Sequence, residues 1–488
     1  MMLAPQLRHR IGDAWLDPEE SVAIRNPADP AEVVAMAPVG DGRAVSMAIQ
    51  AARIALPAWS RLAAPARGEI LFRAAELLRE RASKIGRDLT REEGKTLSEA
   101  TGEVARAAAI LRYFAGRTHE RSGEIYPSAI PGTLIQALRE PLGVAAIVTP
   151  WNFPIAIPAW KIAPALGYGN TVVFKPASAT PLTAHHLVQA FVDAGLPPGV
   201  LNLVYASGGV FGDGWLAEPG VAALSFTGSA PVGRRLAAQA VEHGVKVQLE
   251  LGGKNAVVVA KDADLERATD AVVRGAFASA GQKCTATSRV IAVGDVAEPL
   301  IAAISERVAG LLPGDPLEPT TTLGPVIDVA TKDRIDGLVR AATALGARMV
   351  RQSPTRDLGS FAPAVLLDDV DPAAPIARDE VFGPVLVVLR ARTIDEAIRL
   401  HNAVAFGLSG SIFTRSLDTA ARFIQAARAG IVHVNGETAG AEPHVPFGGT
   451  KASSSWSREQ GHAAEDFYTQ TKTVYYEGLT PTGPFDFD

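Results

Sequence analysis

The sequence predicts an α/β fold built on a doubly wound parallel sheet, and three observations support this prediction. Short segments rich in β-branched residues recur between about residues 143 and 253. Segments with helical periodicity separate them, among them "AIPAWKIAPAL" and "APVGRRLAAQAVEHG". A second region of the same kind begins near Asn255. Strands that alternate with helices at this spacing form parallel sheets, which bind ligands at the carboxyl ends of their strands.

The predicted elements follow a simple order along the chain. The pattern is helical from about Val45 to Thr118, where "GEILFRAAELLRE" places its apolar residues on one face. "TLIQALREPLG" predicts one arm of a hairpin, and the alternating tail "FYTQTKTVYYEG" would pair with it or with another subunit. In the second α/β region, a helix from Asp264 to about Ala280 precedes Cys284, and the strand "SRVIAV" follows. The strands of the first region are predicted at 143–150, 171–176, 201–206, 223–228 and 245–253.

The composition is that of an ordinary globular protein. At roughly 100–200 residues per domain, 488 residues suggest several domains. A hydrophobic content of 47% and a net charge of −5 give no reason to expect a nucleic-acid partner. The longest apolar runs fall far short of the ~18 residues of a membrane span, and the N-terminus has no apolar signal region. A single cysteine excludes an intrachain disulfide and fits a reducing, cytoplasmic location.

Cys284 is that single cysteine, and its neighbours in "SAGQKCTATSR" are small and polar. A buried structural cysteine usually lies among large aliphatic residues, and this one does not. A thiol reacts as its thiolate, so a nucleophilic role requires a nearby cation, oriented N–H groups or a bound cofactor that lowers its pKa. From its position alone an inert cysteine is favoured, and a nucleophile is the alternative.

Two further candidate residues lie at predicted strand ends. Glu250, in "QLELGGKN", ends a buried strand just before two glycines, where a carboxylate is costly unless it is paired, solvated or functional. Asn152 lies between two prolines in "TPWNFP", and its amide could donate to a developing oxyanion. The simpler interpretations are a solvated glutamate and a turn asparagine that satisfies its own backbone.

The expected signal for a dinucleotide is unusual, because no G-x-G-x-x-G follows the first strand. In "FTGSAPVG", Gly228 and Ser229 instead lead from a strand into a helix, whose N-terminus could hold a pyrophosphate, although a serine N-cap looks the same. Lys175 ends another strand and could reach a ribose hydroxyl or a phosphate. "DEVFGPV" places Glu380 and Phe382 in a loop before an apolar strand.

Together these motifs resemble those of the aldehyde dehydrogenase superfamily, from about residue 10 to residue 478. "PWNFP", "FKPAS", "FTGS", "LELGGKN", "GQKCT", "EVFGPV" and "PFGGTK" occur in that family's order and at its spacing. The resemblance implies a variant Rossmann dinucleotide-binding domain, an α/β catalytic domain and a small β-arm that joins subunits into a homodimer or homotetramer. The implied boundaries are 1–120 with 140–252 for the first domain, 253–440 for the second, and 121–139 with 466–488 for the arm.

The resemblance also implies the role of each motif residue. Cys284 is the nucleophile, Asn152 helps to form the oxyanion hole, and Glu250 is the general base. The implied reaction oxidises an aldehyde to a carboxylic acid through a thiohemiacetal and a thioester, with NAD or NADP as hydride acceptor. The implied cofactor-binding residues are Trp151, Lys175, Ser178, Gly228, Ser229, Leu251, Glu380 and Phe382, and the implied substrate residues are Phe153, Trp160 and Lys283.

Cofactor preference follows from a departure at Ser178. Many NAD-preferring relatives carry Glu at the matching position, three residues after the motif lysine. Without that carboxylate, a 2′-phosphate on the adenosine ribose is not repelled and a hydroxyl can donate to it. We therefore expect NADP to be used well, with NAD also accepted.

Substrate preference follows from a second departure. Relatives specific for succinate semialdehyde carry Arg where this chain has Trp160. "GQKCTATSR" and the tail "SSSWSREQG" look more like the members that act on α-ketoglutarate semialdehyde (2,5-dioxopentanoate). Lys283, Arg289 or Arg458 would then be candidates to meet the distal carboxylate, although each also fits a surface or packing role.

Several alternatives stay open. Phe153 and Trp160 would equally suit an aromatic or aliphatic aldehyde, and succinate semialdehyde remains a further alternative. A CoA-acylating relative would not need a base at Glu250. A non-catalytic dinucleotide-binding protein on the same fold is a more distant alternative, against which the intact catalytic residues argue. No metal site is predicted, because His185 and His186 are adjacent on a predicted helix and do not share a face.

Overall fold

The computed structural model describes residues 4–478. The remaining residues, 1–3 and 479–488, belong to the predicted dinucleotide-binding domain and β-arm and lie outside the described residues. The strands, in chain order, are β1 (His9–Ile11), β2 (Ala14–Leu16), β3 (Ser21–Arg25), β4 (Val33–Pro38), β5 (Gly123–Tyr126), β6 (Leu134–Pro141), β7 (Val144–Val148), β8 (Thr171–Lys175), β9 (Leu201–Leu203), β10 (Val221–Thr227), β11 (Lys246–Glu250), β12 (Asn255–Val259), β13 (Thr287–Val293), β14 (Arg348–Gln352), β15 (Val365–Asp368), β16 (Val385–Ala391), β17 (Phe406–Gly407), β18 (Ser409–Phe413), β19 (Ile431–Val434), β20 (Thr450–Lys451) and β21 (Thr469–Tyr476).

The helices alternate with the strands through most of the chain. In chain order they are α1 (Gly42–Arg61), α2 (Ala64–Glu80), α3 (Ala82–Glu93), α4 (Leu97–Arg117), α5 (Ala156–Gly167), α6 (Pro181–Asp193), α7 (Gly208–Ala217), α8 (Ala230–Glu242), α9 (Leu265–Phe277), α10 (Ala297–Ala309), α11 (Val329–Ala344), α12 (Pro375–Arg378), α13 (Ile394–Asn402), α14 (Leu417–Ala426) and α15 (Ala463–Tyr468). Among residues 4–478, no helix is both long and apolar enough to cross a membrane.

Two seven-stranded sheets form the body of the molecule. The first has the order β11-β10-β7-β8-β9-β1-β2, parallel from β11 to β9 and closed by the antiparallel pair β1–β2. The second has the order β14-β15-β16-β13-β12-β18-β19, parallel except for its edge strand β14. This arrangement confirms the predicted α/β class.

Both faces of the first sheet are buried, as a doubly wound sheet requires. Along β7, Ala145 and Ile147 pack against α2, α4, α5 and α6, whereas Val144, Ala146 and Val148 pack against α1, α7 and α8. Successive side chains of a strand point to opposite faces, so a strand covered on both sides reads as a continuous apolar run. For this reason the segment "VAAIV" shows no alternation of apolar and polar residues in the sequence.

The tail pairs with the hairpin arm of its own chain. β21 runs antiparallel to β6 over its full length, from Thr469 opposite Pro141 to Tyr476 opposite Leu134, and β5 covers the other edge of β6. The expected pairing with the arm is therefore present within one chain. The domain boundaries given above, and the joining of subunits through the arm, stay predictions.

Two local predictions differ from the structure. The strand predicted at 201–206 ends at Leu203, because the chain turns there toward the N-cap of α7 at Ser207. The helix predicted to reach about Ala280 ends at Phe277, because the backbone turns left-handed at Ser279. The second difference shapes the candidate site.

Candidate active site

A cavity of about 500 Å³ lies at the carboxyl ends of β7, β8, β10 and β11. Residues that precede or follow strands of the second sheet face it from the other side. It brings together ten of the residues proposed from sequence, namely Trp151, Asn152, Lys175, Ser178, Gly228, Ser229, Leu251, Cys284, Glu380 and Phe382. Glu250, Phe153, Trp160 and Lys283 lie outside its lining.

Cys284 is presented by a strained turn. Ser279, Ala280 and Gly281 all have positive φ, at 53°, 51° and 68°, which is costly for the two residues that carry a Cβ. The turn is held by Glu99, whose Oε1 accepts from the Ser279 backbone N–H at 2.7 Å. This hydrogen bond therefore helps to hold the strained turn in place. The turn positions the loop of Cys284 beside the cavity.

The far side of the nucleophile loop is held by the second sheet. The Asn255 side chain donates to the carbonyl oxygens of Cys284, at 2.8 Å, and Ala286, at 2.9 Å. A Cβ on Gly253 would lie 2.6 Å from the Cys284 carbonyl oxygen, so only glycine allows this approach. The "LGGKN" motif therefore packs directly against the loop that carries Cys284.

The electrostatic surroundings of the thiol disfavour its anion. Burial raises the pKa of the Cys284 thiol to about 12, and the carboxylates of Glu380 and Glu250 act in the same direction. Without a nearby positive charge the thiol is therefore protonated at neutral pH. A ligand that brings a positive charge into the cavity would lower this pKa and activate the sulfur.

Asn152 is fixed beside the nucleophile loop. Its Nδ2 donates to the backbone carbonyl of Gln282 at 2.9 Å, and its side chain is buried and lines the cavity. An amide nitrogen carries two hydrogens, so one hydrogen bond leaves a second N–H for a ligand. The simpler interpretation, an asparagine that satisfies its own turn, does not fit this contact.

A buried ion pair anchors the turn that carries Asn152. The Lys95 ammonium contacts Glu103 Oε2 at 2.6 Å and donates to the Asn152 carbonyl oxygen at 2.7 Å. Glu103 Oε1 accepts from the N–H groups of Ile155 and Ala156, at 3.0 and 3.1 Å. These charged groups are buried together, so each one satisfies the others and the loop between β7 and α5 has little freedom.

Glu250 is buried at the end of β11. Its Oε2 accepts from the Ser454 hydroxyl at 2.7 Å, whereas its Oε1 has no hydrogen-bond partner within residues 4–478. Burial raises the pKa of Glu250 well above its usual value, and the charge of Glu459 adds to the effect. A carboxyl group with a raised pKa binds a proton more readily than a free one, which suits a general base. The solvated-glutamate interpretation does not fit its burial.

A second buried ion pair lies next to Glu250. The Lys161 ammonium contacts Glu459 and also donates to the Ser225 hydroxyl at 2.9 Å. Both side chains are almost wholly excluded from solvent. The Lys161 charge favours ionised Glu250 and the Glu459 charge opposes it, so the pair sets the proton affinity of Glu250.

The cavity floor carries an isolated lysine. Lys175 ends β8, and burial lowers the pKa of its amine to about 8. Ser178 lines the cavity three residues later and leaves no acidic group at that point of the wall. An amine in this state gains charge readily when an anionic group comes near it.

The residues between β10 and α8 form a site suited to a pyrophosphate. Ser229 is the N-cap of α8, and its hydroxyl makes no capping hydrogen bond. The hydroxyl groups of Thr149 and Thr227 are buried without a hydrogen-bond partner, and both residues line the cavity. Unused donors at a helix N-terminus fit a phosphate-bearing ligand. The residues present therefore fit a dinucleotide.

An aromatic pair closes the opposite wall. The rings of Trp151 and Phe382 meet edge to face with centroids 5.5 Å apart, and Phe382 has a positive φ of 51°. Beside them, Glu380 Oε1 accepts from the Gly253 N–H at 2.9 Å. Burial lowers the pKa of Lys254 to about 7, and burial also raises the pKa of Glu380, against the charges of Lys254 and Arg334.

The residues proposed for the substrate are scattered. Trp160 is buried against Phe447, with ring centroids 5.5 Å apart, and its indole N–H has no partner. Phe153 lies under the Lys95 ammonium, 4.3 Å from its ring centroid. Lys283 borders a void of only about 10 Å³.

Two of the candidate carboxylate partners have other contacts. The buried guanidinium of Arg289 donates to the carbonyl oxygens of Lys254, Leu400 and His401, so its role is to cross-link loops rather than to meet substrate. Arg458 acts on the charge of Glu250. The packing role is therefore the right one for Arg289.

The sequence motifs do not include several of the charged and polar groups that surround the candidate site. Lys161 was detectable, because it is the one charged residue in the apolar helix "AIPAWKIAPALG". Lys95, Glu103, Ser454 and Glu459 carry no such signal, since each lies in a polar stretch and meets its partner only in the folded chain.

A lone thiol with an amide donor, a buried carboxyl group and an adjoining dinucleotide cavity define an oxidoreductase that works through a covalent cysteine intermediate. Comparison with known proteins gives the family. The sequence profile described as "Aldehyde dehydrogenase family" matches residues 15–474, and the chain belongs to that family. It is an aldehyde dehydrogenase that uses a nicotinamide dinucleotide and a small aldehyde substrate.

Individual relatives align over nearly the whole chain. The α-ketoglutaric semialdehyde dehydrogenase of Bacillus subtilis (strain 168) is 42% identical over 476 residues, covering 95% of this chain and 97% of the relative. The 2,5-dioxopentanoate dehydrogenase of Saccharolobus solfataricus is 40% identical over 474 residues, covering 95% and 98%. Among solved structures, betaine aldehyde dehydrogenase from Staphylococcus aureus in complex with NAD+ superposes with a TM-score of 0.93 at 31% identity, covering 99% and 96%.

Proposed function

We propose that this protein oxidises 2,5-dioxopentanoate, the semialdehyde of α-ketoglutarate, to α-ketoglutarate. The observation that carries the proposal is the identity of 40–42% over 95% of the chain to two dehydrogenases named for this substrate. The absence of a cation at Trp160 agrees with it, because members specific for succinate semialdehyde carry Arg there. The site residues then take the following roles.

The cavity of about 500 Å³ would hold the dinucleotide. When bound, its oxidised nicotinamide would supply a hydride acceptor and a positive charge. Ser229 and the N-terminus of α8 would hold the pyrophosphate, Lys175 and Glu380 the ribose hydroxyls, and Trp151 with Phe382 the nicotinamide. Leu251 and Gly228 shape the intervening wall.

Cys284 forms the bond to substrate. Once its thiol proton has been released to solvent, the sulfur attacks the aldehyde carbon to give a thiohemiacetal, and Glu250 remains ionised for the later step. The free N–H of Asn152 and the backbone N–H of Cys284 stabilise the oxyanion, a contribution of roughly 2.7–4 kcal/mol for a single donor of this kind. Collapse of the oxyanion with loss of hydride leaves a thioester on Cys284.

Glu250 completes the reaction by activating water. It removes a proton from the water that attacks the thioester, and the carboxylic acid product leaves while Cys284 is regenerated. Burial and the charge of Glu459 raise the pKa of Glu250, and the charge of Lys161 opposes them. A CoA-acylating enzyme has no use for such a base, so hydrolysis is favoured over acyl transfer.

We further propose that NADP is used well, with NAD also accepted. Ser178 replaces the carboxylate that repels a 2′-phosphate, and Lys175 can become charged beside one. The protein is also proposed to be a homodimer or homotetramer through the β-arm. Ile125, Tyr126 and Tyr475 of that arm are exposed apolar side chains, which a subunit contact would cover.

The test is kcat/KM for 2,5-dioxopentanoate, succinate semialdehyde, benzaldehyde and hexanal, each with NAD and with NADP. Cys284→Ala is the blank. A lead of tenfold or more for 2,5-dioxopentanoate, about 1.4 kcal/mol in transition-state binding, supports the proposal. A lead for benzaldehyde or hexanal would leave an aldehyde dehydrogenase with an apolar pocket defined by Phe153 and Trp160.

A further inference from the structure

A second cavity, of about 480 Å³, shares no lining residue with the dinucleotide cavity. It lies between α4 and the segment 431–447, and most of its wall is apolar, with Ile431, Val432, Val445 and Phe447 among the lining residues. Arg106 of α4 provides the guanidinium on this wall, and Glu442 lines the wall near solvent. The second cavity is therefore mainly apolar and contains one arginine side chain.

Its walls are built from the segments that hold the reaction centre. Phe447 packs against Trp160, and a Cβ on the next residue, Gly448, would lie 2.7 Å from Glu250 Oε1. The Thr438 hydroxyl donates to the carbonyl oxygen of Thr285, the residue after Cys284, at 2.7 Å. The segment that lines the second cavity is thus linked by direct contacts to Trp160, to Glu250 and to the residue after Cys284.

Helix α4, which forms another wall of the second cavity, is also linked to the turn of Asn152. Arg106 lies one helical turn after Glu103, whose carboxylate holds Lys95 and the backbone N–H of Ile155 and Ala156. Glu103 is thus fully engaged in fixing the turn of Asn152. Burial lowers the pKa of Arg106, and the charges of Glu103 and Glu442 act in the opposite direction, so both carboxylates lie near enough to favour the charged guanidinium.

The guanidinium of Arg106 is only partly satisfied by the residues that the structure describes. Its Nη2 is buried and has no hydrogen-bond partner among the described residues. A buried guanidinium that lacks a hydrogen bond is costly, and the cost is recovered when an anion binds. The planar fork of arginine matches a carboxylate, which it binds through two parallel hydrogen bonds.

We infer that Arg106 is a specificity-determining residue that binds the distal carboxylate of an ω-oxo acid substrate. The aldehyde end reaches Cys284 while the carboxylate remains in the second cavity. This inference rests on the proposed function, since it assigns the site that such a substrate requires. It replaces Lys283, Arg289 and Arg458, none of which lines this cavity.

The other ionisable groups of the cavity do not compete for this role. His433 also lines it, but burial lowers the pKa of its imidazole, so it is neutral above mildly acidic pH. Glu442 repels a carboxylate. Its exposed position leaves it screened by water, and it disfavours anions that stop at the entrance.

The experiment compares two aldehydes of equal chain length, 2,5-dioxopentanoate and pentanal, in the wild type and three variants. Arg106→Gln removes the charge, and Arg106→Lys keeps it without the fork. Arg112→Gln is the matched control, because Arg112 lies on the same helix, is half exposed and pairs with Glu76 at 2.9 Å. Both kcat and KM are measured for each pair at saturating cofactor.

For Arg106→Gln we expect kcat/KM on 2,5-dioxopentanoate to fall roughly 10- to 100-fold, mainly through KM, as for loss of a charged hydrogen bond. Pentanal should change by less than about threefold, which also shows that the variant is folded. Arg106→Lys should fall between the wild type and Arg106→Gln, and Arg112→Gln should match the wild type.

Two outcomes would overturn the inference, and they are distinguishable. If the wild type prefers 2,5-dioxopentanoate at least tenfold and Arg106→Gln keeps that preference, the carboxylate binds elsewhere and the proposed function stands. If the wild type shows no preference over pentanal, the proposed substrate and the role of Arg106 both fail. If Arg106→Gln turns over neither aldehyde, Arg106→Lys decides, because an unchanged preference there excludes a bidentate contact.

Discussion

The side-chain amide of Asn152 donates to the backbone carbonyl of Gln282, two residues before Cys284, at 2.9 Å. Asn152 follows a strand of the first sheet, whereas Gln282 precedes a strand of the second. This single hydrogen bond therefore ties the proposed oxyanion donor to the loop of the proposed nucleophile. The Asn152 amide and the loop of Cys284 therefore keep their relative position through a direct hydrogen bond between them.

Replacing Asn152 by Ala should lower kcat by roughly 10²–10³-fold, the loss measured when one oxyanion donor is removed. KM should change much less, because the oxyanion forms only after attack. Steady-state kinetics with the thermal unfolding midpoint as a control would check this. A fall of less than tenfold in a folded variant would show that Asn152 only ties the loops together.

Introducing a carboxylate at Ser178 should shift cofactor use from NADP toward NAD. In Ser178→Glu, a negative charge faces the 2′-phosphate of NADP, so we expect the ratio of kcat/KM for NADP to that for NAD to fall by at least about tenfold. Ser178→Gln is the matched control, since it adds similar bulk without charge. An equal fall in both variants would point to size rather than to charge.

The use of NADP should depend on pH through Lys175. Burial lowers the pKa of this amine to about 8, so it is charged below pH 8 and loses its charge as the pH rises through that value. We expect KM for NADP to increase above about pH 8, and KM for NAD to stay nearly flat. In Lys175→Arg the charge persists, so the increase should vanish if titration of the amine is its cause.

The reactivity of the thiol should respond to Glu380. Its carboxylate raises the pKa of Cys284, so Glu380→Gln should lower that pKa and increase the thiolate fraction, tenfold for each unit. Alkylation by iodoacetamide at pH 8, without cofactor, reports on this residue alone because the chain has one cysteine. Glu298→Gln, at an exposed ion pair with Arg390, should leave the rate unchanged. Slower alkylation in Glu380→Gln would contradict the electrostatic explanation.

Sequence patterns predicted the parallel sheets well, because buried strands and amphipathic helices leave local signatures. The run "VAAIV" and the apolar face of α2 need no knowledge of the rest of the fold. Motif residues such as Cys284 and Lys175 could also be placed, since strand ends of a doubly wound sheet converge.

Other features were beyond local patterns. Ser454 meets Glu250 across 204 residues of chain, and Arg106 resembles any surface arginine of an amphipathic helix until the segment 431–447 covers it. The sequence predicts a helix where the backbone turns left-handed at Ser279, because Ser and Ala are residue types that rarely indicate a positive φ. Burial and partners over such separations follow from the whole fold.

The position of β21 and of the segment before it has a consequence for biosynthesis. Strand β6 pairs early with β5, but it acquires its second partner only when residues 469–476 are made, and Glu250 acquires Ser454 only shortly before that. The nascent chain therefore carries an open strand edge and a glutamate without its serine donor until these residues leave the ribosome. Premature termination after residue 440 would thus yield a chain that retains its thiol but has no means of finishing a catalytic cycle.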